Sequence, residues 1–227
     1  MASPQPGIFI EGAAFHHFLE YTFEASKADT VNAVLSALRV LKGCNVNSVI
    51  AFGPELWTRL RPDAGPDELR PFTPINDAPA TQRDLFIWLH GAHHDDVLDA
   101  ALAVHRTLAE SGALDLDERG FVYHDSRDLT GFIDGTANPK DDARMAAALV
   151  PGGQAGAGGA YVLTQKWVHD LDKFGALPVT EQERVIGRTK PDSIELTGAA
   201  MPPDSHVART DVKEDGVAYK MYRRSAP

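Results

Sequence analysis

The chain has 227 residues and a mass of 24.6 kDa, which is enough for one large domain or two small ones. Its formal charge of -10 repels phosphate backbones and anionic lipids, so neither nucleic acid nor a membrane surface is a predicted partner. Cys44 is the only cysteine, which excludes an intrachain disulfide, a Cys-x-x-Cys redox pair and an iron–sulfur cluster, and no run of about 18 apolar residues is present to span a membrane.

The first half of the chain predicts alternating strands and helices. Residues 1–7 have neither the basic start nor the apolar stretch of a secretory signal, which predicts a cytoplasmic protein. The pattern then predicts a strand over 15–23, a helix over 26–42, strands over 49–52 and 84–90, and a helix over 96–110. This order is typical of the ferredoxin-like fold, an antiparallel sheet with helices on one face.

A change in composition divides the chain near residues 139–159. Pro139, an aspartate pair and the run PGGQAGAGG predict a flexible connection there. We therefore place a boundary between an N-terminal domain, 1–140, and a C-terminal domain, 141–227.

The second half predicts a loosely similar order of elements. A strand is expected over 160–169, a helix over 179–187, and a hairpin that turns at Asp215-Gly216 and returns over 218–224. The predicted fold class is α+β, with two tandem ferredoxin-like units in which helices pack on antiparallel sheets. A second complete unit would need a further helix and strand, so we expect this unit to be truncated at its C-terminus.

The segment 128–139, DLTGFIDGTANP, carries the strongest local signal. Two glycines flank Asp134 and allow tight curvature or close approach to a flat ligand. Thr136 and Asn138 are able to tie the loop through side-chain to backbone hydrogen bonds. An Asx-type turn that caps a helix explains the same spacing, so the local pattern leaves both interpretations open.

Two further residues are candidates for chemistry. His206 follows a proline pair at the start of a predicted strand, where an imidazole with an oriented ring is able to ligate a metal. Arg223 and Arg224 continue the last predicted strand, so only one of them faces a given pocket. Taken alone, these patterns favour a surface or satisfied core histidine at position 206 and a charged sheet edge for the two arginines.

Five motifs occur in a fixed order: GFIDGTANP, WVHDL, ERVIGRTK, PDSHVAR and YRRSAP. In that order they resemble the dye-decolorizing peroxidases, particularly the cytoplasmic bacterial B-type branch. The resemblance covers nearly the whole chain, and several ordered motifs are far more specific than any one of them. It implies a pair of ferredoxin-like units, the second of which holds haem.

The resemblance also implies roles for individual residues. Haem b, iron protoporphyrin IX, is the implied cofactor, with His206 as the proximal iron ligand. Asp134, Arg223 and Ser225 are the implied catalytic residues on the opposite, peroxide-binding face. Further haem contacts are expected from the rest of the loop and from an arginine that pairs with a propionate, namely Gly135, Thr136, Asn138 and Arg188.

The implied activity is a haem peroxidase that uses hydrogen peroxide to oxidise dyes and other bulky or phenolic reductants in one-electron steps. Because a bulky reductant cannot easily enter the pocket, electrons are expected to leave through surface aromatics, for which the candidates are Tyr161, Trp167, Tyr219 and Tyr222. A homo-oligomer is expected, with an encapsulating shell protein as partner if a C-terminal tail exists. The alternatives are a haem carrier or haem iron-releasing (deferrochelatase-like) protein, and a ferredoxin-like interaction module without cofactor.

Overall fold

A computed structural model describes residues 3–24, 26–62, 69–76, 78–134, 138–218 and 221–223. The chain groups into two compact units. The first comprises Met1–Phe121 with Leu149–Val162, and the second comprises Val122–Ala148 with Leu163–Pro227. In the ranges described, no helix is both long and apolar enough to cross a lipid bilayer.

Strands and helices alternate along the first unit. The strands are β1 (Phe15–Thr22), β2 (Asn47–Phe52), β3 (Leu85–Gly91) and β4 (Ala113–Phe121), and the helices are α1 (Lys27–Lys42), α2 (Pro54–Leu60) and α3 (His94–Leu108). The predicted strands and helices up to residue 110 are confirmed, whereas α2 and β4 were missed. Strand β4 carries charged residues along an exposed face, so it lacks the apolar run by which the other strands are identified.

The four strands form one antiparallel sheet in the order β2-β3-β1-β4. The two central strands, β1 and β3, contain the most buried residues, which fits their position between neighbours on either side. With α1 and α3 as the two crossover helices, the arrangement is the predicted ferredoxin-like one, and the protein is a mixed α/β molecule.

One apolar core joins this sheet to its helices. Strands β1 and β3 contribute fully buried Leu19, Ile87 and Leu89, while α3 contributes Val104 and Leu108, which are equally inaccessible. The side chain of Ser26 caps α1 by accepting a hydrogen bond from the backbone N–H of Asp29 at 3.3 Å. Burial of these side chains is the main source of stability in the unit.

Two histidines of β1 are buried in this sheet. His16 is 5% exposed and His17 is 3% exposed. His16 accepts a hydrogen bond at Nδ1 from the indole N–H of Trp88 at 3.1 Å, and its Nε2 lies 3.2 Å from the carbonyl oxygen of Ala13. His17 contacts the Asp117 carboxylate at 2.6 Å. These partners bond to both ring nitrogens of His16 and to Nε2 of His17, which lowers the cost of burying two imidazoles.

The second unit is built differently. Its helices are α4 (Asp141–Ala148), α5 (Leu171–Gly175), α6 (Val179–Ile186) and α7 (His206–Thr210), and its strands are β5 (Lys213–Glu214) and β6 (Val217–Ala218). The predicted helix over 179–187 and the hairpin turn at Asp215-Gly216 are confirmed. Among the described residues of this unit, the only sheet is the two-stranded β5-β6 hairpin.

Three local predictions for the second half are wrong. Residues 160–169 form no strand, and most of their side chains are exposed, because no neighbouring strand pairs with them among the described residues. The connection predicted over 139–159 contains helix α4, whose first turn carries the aspartate pair. Residues 221–223 are not in a strand, and residues 219–220 and 224 lie outside the described ranges.

The division into units differs from the boundary expected at residue 140. Residues 122–140 group with the second unit, because the loop that starts after β4 is bonded to residues further along the chain. A glycine-rich run indicates where the backbone turns, but it does not indicate which of the two units the neighbouring segments pack in.

Candidate functional site

The loop that carries Asp134 is a miniature antiparallel ladder. The N–H of Asp128 donates to the carbonyl of Phe132 at 2.9 Å, and the N–H of Asp134 donates to the carbonyl of Ser126 at 2.8 Å. Gly131 adopts φ +86° at the turn between the two rungs. Asp134 thus sits at the end of a hydrogen-bonded ladder with an exposed carboxylate, and the tight turn predicted from the glycines is present.

An arginine inside this ladder fixes it to a distant segment. The Arg127 guanidinium donates to both carboxylate oxygens of Asp125 at 2.7 and 3.0 Å and to the carbonyl of Gly131 at 2.9 Å. It also donates to the carbonyls of Lys190 at 2.8 Å and Pro191 at 3.2 Å. The loop of Asp134 and the segment that follows Arg188 are therefore held together by one side chain.

Phe132 anchors the same loop in the small core of the second unit. Its ring is 4% exposed and meets Phe174 of α5 edge-on, with the ring centroids 6.2 Å apart. The Lys190 ammonium lies 5.4 Å from the centre of the Phe132 ring and donates to the Gln182 side chain at 2.6 Å. These contacts place a buried aromatic ring two residues before Asp134.

His206 is the first residue of helix α7, so its prediction at the start of a strand is wrong. The preceding Ser205 is 1% exposed and caps the helix by accepting from the N–H of Ala208 at 3.3 Å. The His206 ring is exposed, and none of the described residues forms a hydrogen bond with its nitrogens. A capped helix therefore presents an imidazole whose nitrogens are both available to a ligand.

Gly187 sets the position of α7 against α6. It ends α6 with φ +92°, and a Cβ built on it would lie 3.0 Å from the Ser205 Oγ and 3.0 Å from the Val207 Cβ. Only glycine permits both this conformation and this approach. Because Arg188 follows Gly187 directly, the backbone of the predicted propionate partner lies beside the residues that flank His206.

Arg188 is partly engaged within its own turn. Its Nη1 donates to the Ser193 hydroxyl at 3.4 Å, and its Nη2 lies 3.6 Å from the Glu195 carboxylate. Its Nε is buried and has no hydrogen-bond partner in the described part of the chain. A buried guanidinium N–H without an acceptor is costly, so this group is suited to an incoming carboxylate.

Asn138 connects the loop to Arg223. Its side-chain carbonyl accepts from the Arg223 N–H at 2.7 Å, and its side-chain NH2 donates to the Arg223 carbonyl at 2.7 Å. The expectation that Asn138 bonds to backbone is confirmed, although the backbone belongs to residue 223 and not to its own loop. Two predicted site residues, Asp134 and Arg223, are therefore tied to one short stretch of chain.

Three predicted site residues, Gly135, Thr136 and Ser225, lie outside the described residues. Of the aromatic residues suggested for electron exit, Trp167 is 71% exposed and Tyr161 is 52% exposed, while Tyr219 is also outside the described ranges. Tyr222 is half-buried.

Sequence reasoning missed Arg127 and Gly187. A signal for Gly187 was present, since a glycine directly after an amphipathic helix is a common helix end. No local pattern marks Arg127, because its main acceptors are backbone carbonyls of residues 63 and 64 positions away.

Comparisons with known proteins agree on one family. A family model described as Dyp-type peroxidase, N-terminal, matches residues 42–122, and one described as Dyp-type peroxidase, C-terminal, matches residues 125–227. Among curated proteins, a dye-decolorizing peroxidase of Mycobacterium tuberculosis is 35% identical, with the match covering 99% of this chain and 71% of that protein. One from Rhodococcus erythropolis is 33% identical over 92% of this chain and 66% of that protein.

Solved structures show the same similarity. DyPB from Rhodococcus jostii is 32% identical with a TM-score of 0.84, and the match covers 100% of this chain and 78% of that one. A variant of the same protein in complex with heme gives a TM-score of 0.83 at 32% identity, covering 96% of this chain and 75% of that one. A dye-decolorizing peroxidase from Bacteroides thetaiotaomicron gives 0.78 at 30% identity, over 94% of this chain and 74% of that one.

Proposed function

We propose that this chain, which belongs to the Dyp-type peroxidase family, binds haem through His206 and uses hydrogen peroxide to oxidise bulky or phenolic reductants in one-electron steps. The supporting observation is the presentation of the His206 imidazole: it heads a capped helix, is exposed, and is bonded to none of the described residues. The loop of Asp134 and the backbone of Arg223 belong to the same compact unit.

The residues present fit a haem. Iron is ligated by an imidazole nitrogen that is free of hydrogen bonds, and those of His206 form none with the described residues. A haem propionate is a carboxylate, and the buried Nε of Arg188 is a donor without an acceptor in the described structure. His206 and Arg188 are accordingly the residues that would hold the group, and haem when bound supplies a redox-active iron to which a peroxide oxygen is able to bind.

Asp134 is proposed to move the proton. Reduction of peroxide at a bound haem would require a proton to move from one peroxide oxygen to the other, which leaves as water. The backbone N–H of Asp134 donates to the Ser126 carbonyl, which fixes the residue at the end of its ladder, and the exposed carboxylate is able to relay that proton.

Arg223 is proposed to stabilise charge. The O–O bond breaks with a growth of negative charge on the departing oxygen, and a permanently charged guanidinium lowers the energy of that state. The paired hydrogen bonds from Asn138 fix the backbone of Arg223, so its side chain starts from a defined position. Ser225, two residues further along, stays a prediction for the same face.

The test replaces Asp134 and Arg223 separately, by Asp134→Asn and Arg223→Gln, in the haem-loaded protein. The measurement is the rate at which one equivalent of peroxide changes the Soret band. We expect a slowing of about 100-fold or more in at least one variant, since loss of a group that stabilises developing charge costs about 2.7–4 kcal/mol. Exposed charges on α5 and α6 supply the matched controls, Asp172→Asn and Arg184→Gln.

The outcomes separate the peroxidase from its alternatives. Unchanged rates in both variants would discard the proposed roles of Asp134 and Arg223. Haem binding with no peroxide reaction in the unmodified chain favours a haem carrier, release of iron from intact haem favours a deferrochelatase-like protein, and failure to bind haemin favours an interaction module. A cytoplasmic location, a homo-oligomer and a shell partner stay predictions.

A further inference from the structure

We propose that Arg127 is the positioning residue of the site, which holds the Asp134 loop and the Arg188 segment in a single arrangement. Its effect on chemistry rests on the proposed function, whereas its effect on the loop does not. Arg127 acts through the backbone that precedes Asp134, since its side chain donates to the Gly131 carbonyl and its own backbone pairs with Ile133.

Arg127 uses its full donor capacity. A guanidinium has five N–H groups in one plane. Here Nε donates one bond, Nη1 donates two and Nη2 donates two, to the carboxylate of Asp125 and the carbonyls of Gly131, Lys190 and Pro191. A residue satisfied at every donor is fixed in one rotamer, and it fixes its acceptors in turn.

The acceptors belong to two segments far apart in sequence. Gly131 lies three residues before Asp134, while Lys190 lies two residues after Arg188. Both carbonyls accept from the same nitrogen, Nη1, at 2.9 and 2.8 Å. A shift of either segment would therefore break a bond to a charged donor, so the acid and the proposed propionate partner move together or not at all.

Asp125 orients the guanidinium. The carboxylate accepts from Nε at 2.7 Å and Nη2 at 3.0 Å, which is the bidentate arrangement that leaves Nη1 directed at the carbonyls. The hydrogen bond from Arg127 lowers the pKa of Asp125 below its ordinary 3.8. The pair consequently stays ionised at weakly acidic as well as at neutral pH.

Lysine cannot reproduce this arrangement. Its ammonium has three donors around one point and lacks the planar fork that spans two segments. Arg127→Lys therefore keeps the charge and removes the geometry, which makes it the informative variant. Arg127→Gln removes both.

The control is an arginine with the same kinds of partner in the first unit. Arg59 donates to the Asp84 carboxylate at 3.2 Å and to the Phe23 carbonyl at 3.3 Å. Arg59→Gln removes comparable bonds away from the site, so its effects report the general cost of losing an arginine.

The experiment measures amide hydrogen exchange and peroxide kinetics on the same full-length variants. In Arg127→Lys and Arg127→Gln we expect the amides of Gly131 and Asp134 to exchange at least about tenfold faster, because each bond to a charged donor stabilises the loop by more than one such factor. The amide of Gly187, which donates to Glu183 at 2.7 Å, keeps its exchange rate. In the haem-loaded variants kcat/KM for peroxide falls at least about tenfold, and the pH profile changes shape since Asp134 is displaced.

Several results would overturn the proposal. Unchanged exchange at Gly131 and Asp134 in Arg127→Lys would do so, as would equal acceleration at Gly187, which would make Arg127 a general stability residue. A loss of kcat/KM as large in Arg59→Gln would remove the link to the site. If Arg127→Gln does not fold, Arg127→Lys decides alone, and if the unmodified chain binds no haem, the exchange data still decide the positioning role.

Discussion

Different forces stabilise the interior of each of the two units. In the first, the helices and sheet share one apolar core, and the strands supply each other's backbone hydrogen bonds. In the second, Phe132 is the only apolar side chain among the described residues that is buried to the same degree, and side chains such as Arg127 and Asn138 bond to backbone instead. The first unit is thus a scaffold stabilised by burial, and the second a site stabilised by directional bonds.

The largest effect should come from the core of the first unit. Leu89 is completely buried, so Leu89→Ala removes apolar contact and leaves a cavity. We expect the free energy of unfolding to fall by about 2–5 kcal/mol in urea titrations followed by circular dichroism. The matched control is Leu163→Ala in the second unit, where the side chain is 63% exposed and the change should be within about 0.5 kcal/mol. Similar losses in both variants would remove the contrast between the units.

A second test targets the close approach at Gly187. Gly187→Ala introduces strain at φ +92° and a Cβ 3.0 Å from the Ser205 Oγ, so we expect a loss of about 1–3 kcal/mol and weaker haem binding. Gly198→Ala is the control, because Gly198 also has a positive φ, +56°, but nothing lies within 4 Å of its Cβ. If the two variants lose the same stability and haem affinity, the close approach of Gly187 to α7 is not the reason that glycine is required at this position.

The third test separates the donor and acceptor of Asn138. Asn138→Ala loses both hydrogen bonds to Arg223, which predicts a fall of about 1–2 kcal/mol and a slower peroxide reaction with haem affinity retained. Asn138→Asp keeps the acceptor for the Arg223 N–H but turns a carboxylate oxygen towards the Arg223 carbonyl, so we expect this variant to be impaired as well. If both variants keep the stability and the peroxide rate of the unmodified chain, the two hydrogen bonds of Asn138 do not fix Arg223.

The smallest effect at neutral pH concerns Tyr21. Burial, with a smaller contribution from the Asp117 carboxylate, raises the pKa of Tyr21 from 10.0 to about 12. The folded state therefore disfavours the phenolate, and the first unit should lose on the order of 2–3 kcal/mol as the pH rises from 10.0 to about 12. Tyr21→Phe should change stability by under about 1 kcal/mol at neutral pH and abolish this alkaline loss, as measured by urea unfolding at several pH values.

The contrast between the units also explains how far sequence reasoning reached. Apolar periodicity predicts β1, α1, β3 and α3, because the forces that order them act on the residues that carry the pattern. Strand β4 escaped this reasoning, since it is an edge strand with a charged face and its partner, β1, lies about 100 residues earlier.

The sequence motifs predicted which residues belong to the candidate site, but not the contacts that position them. The glycine-flanked turn of Asp134 follows from local chemistry, and the roles proposed for His206 and Arg223 come from the order of motifs. Arg127 donates to backbone carbonyls, which every residue has, so no sequence pattern identifies its acceptors. His206 was misplaced on a strand because the Ser205 N-cap, which begins α7, was not recognised.

The most direct test of the account is a haemin titration of the unmodified chain, His206→Ala and His169→Ala, followed at the Soret band. His169 is an exposed histidine of the second unit that is likewise bonded to none of the described residues, so it controls for loss of an imidazole. We predict one haem per chain for the unmodified protein and His169→Ala, and a loss in His206→Ala greater than the roughly 10–100-fold that removal of an outer-shell partner costs. Unaltered affinity and an unaltered spectrum in His206→Ala would contradict the proposed ligand.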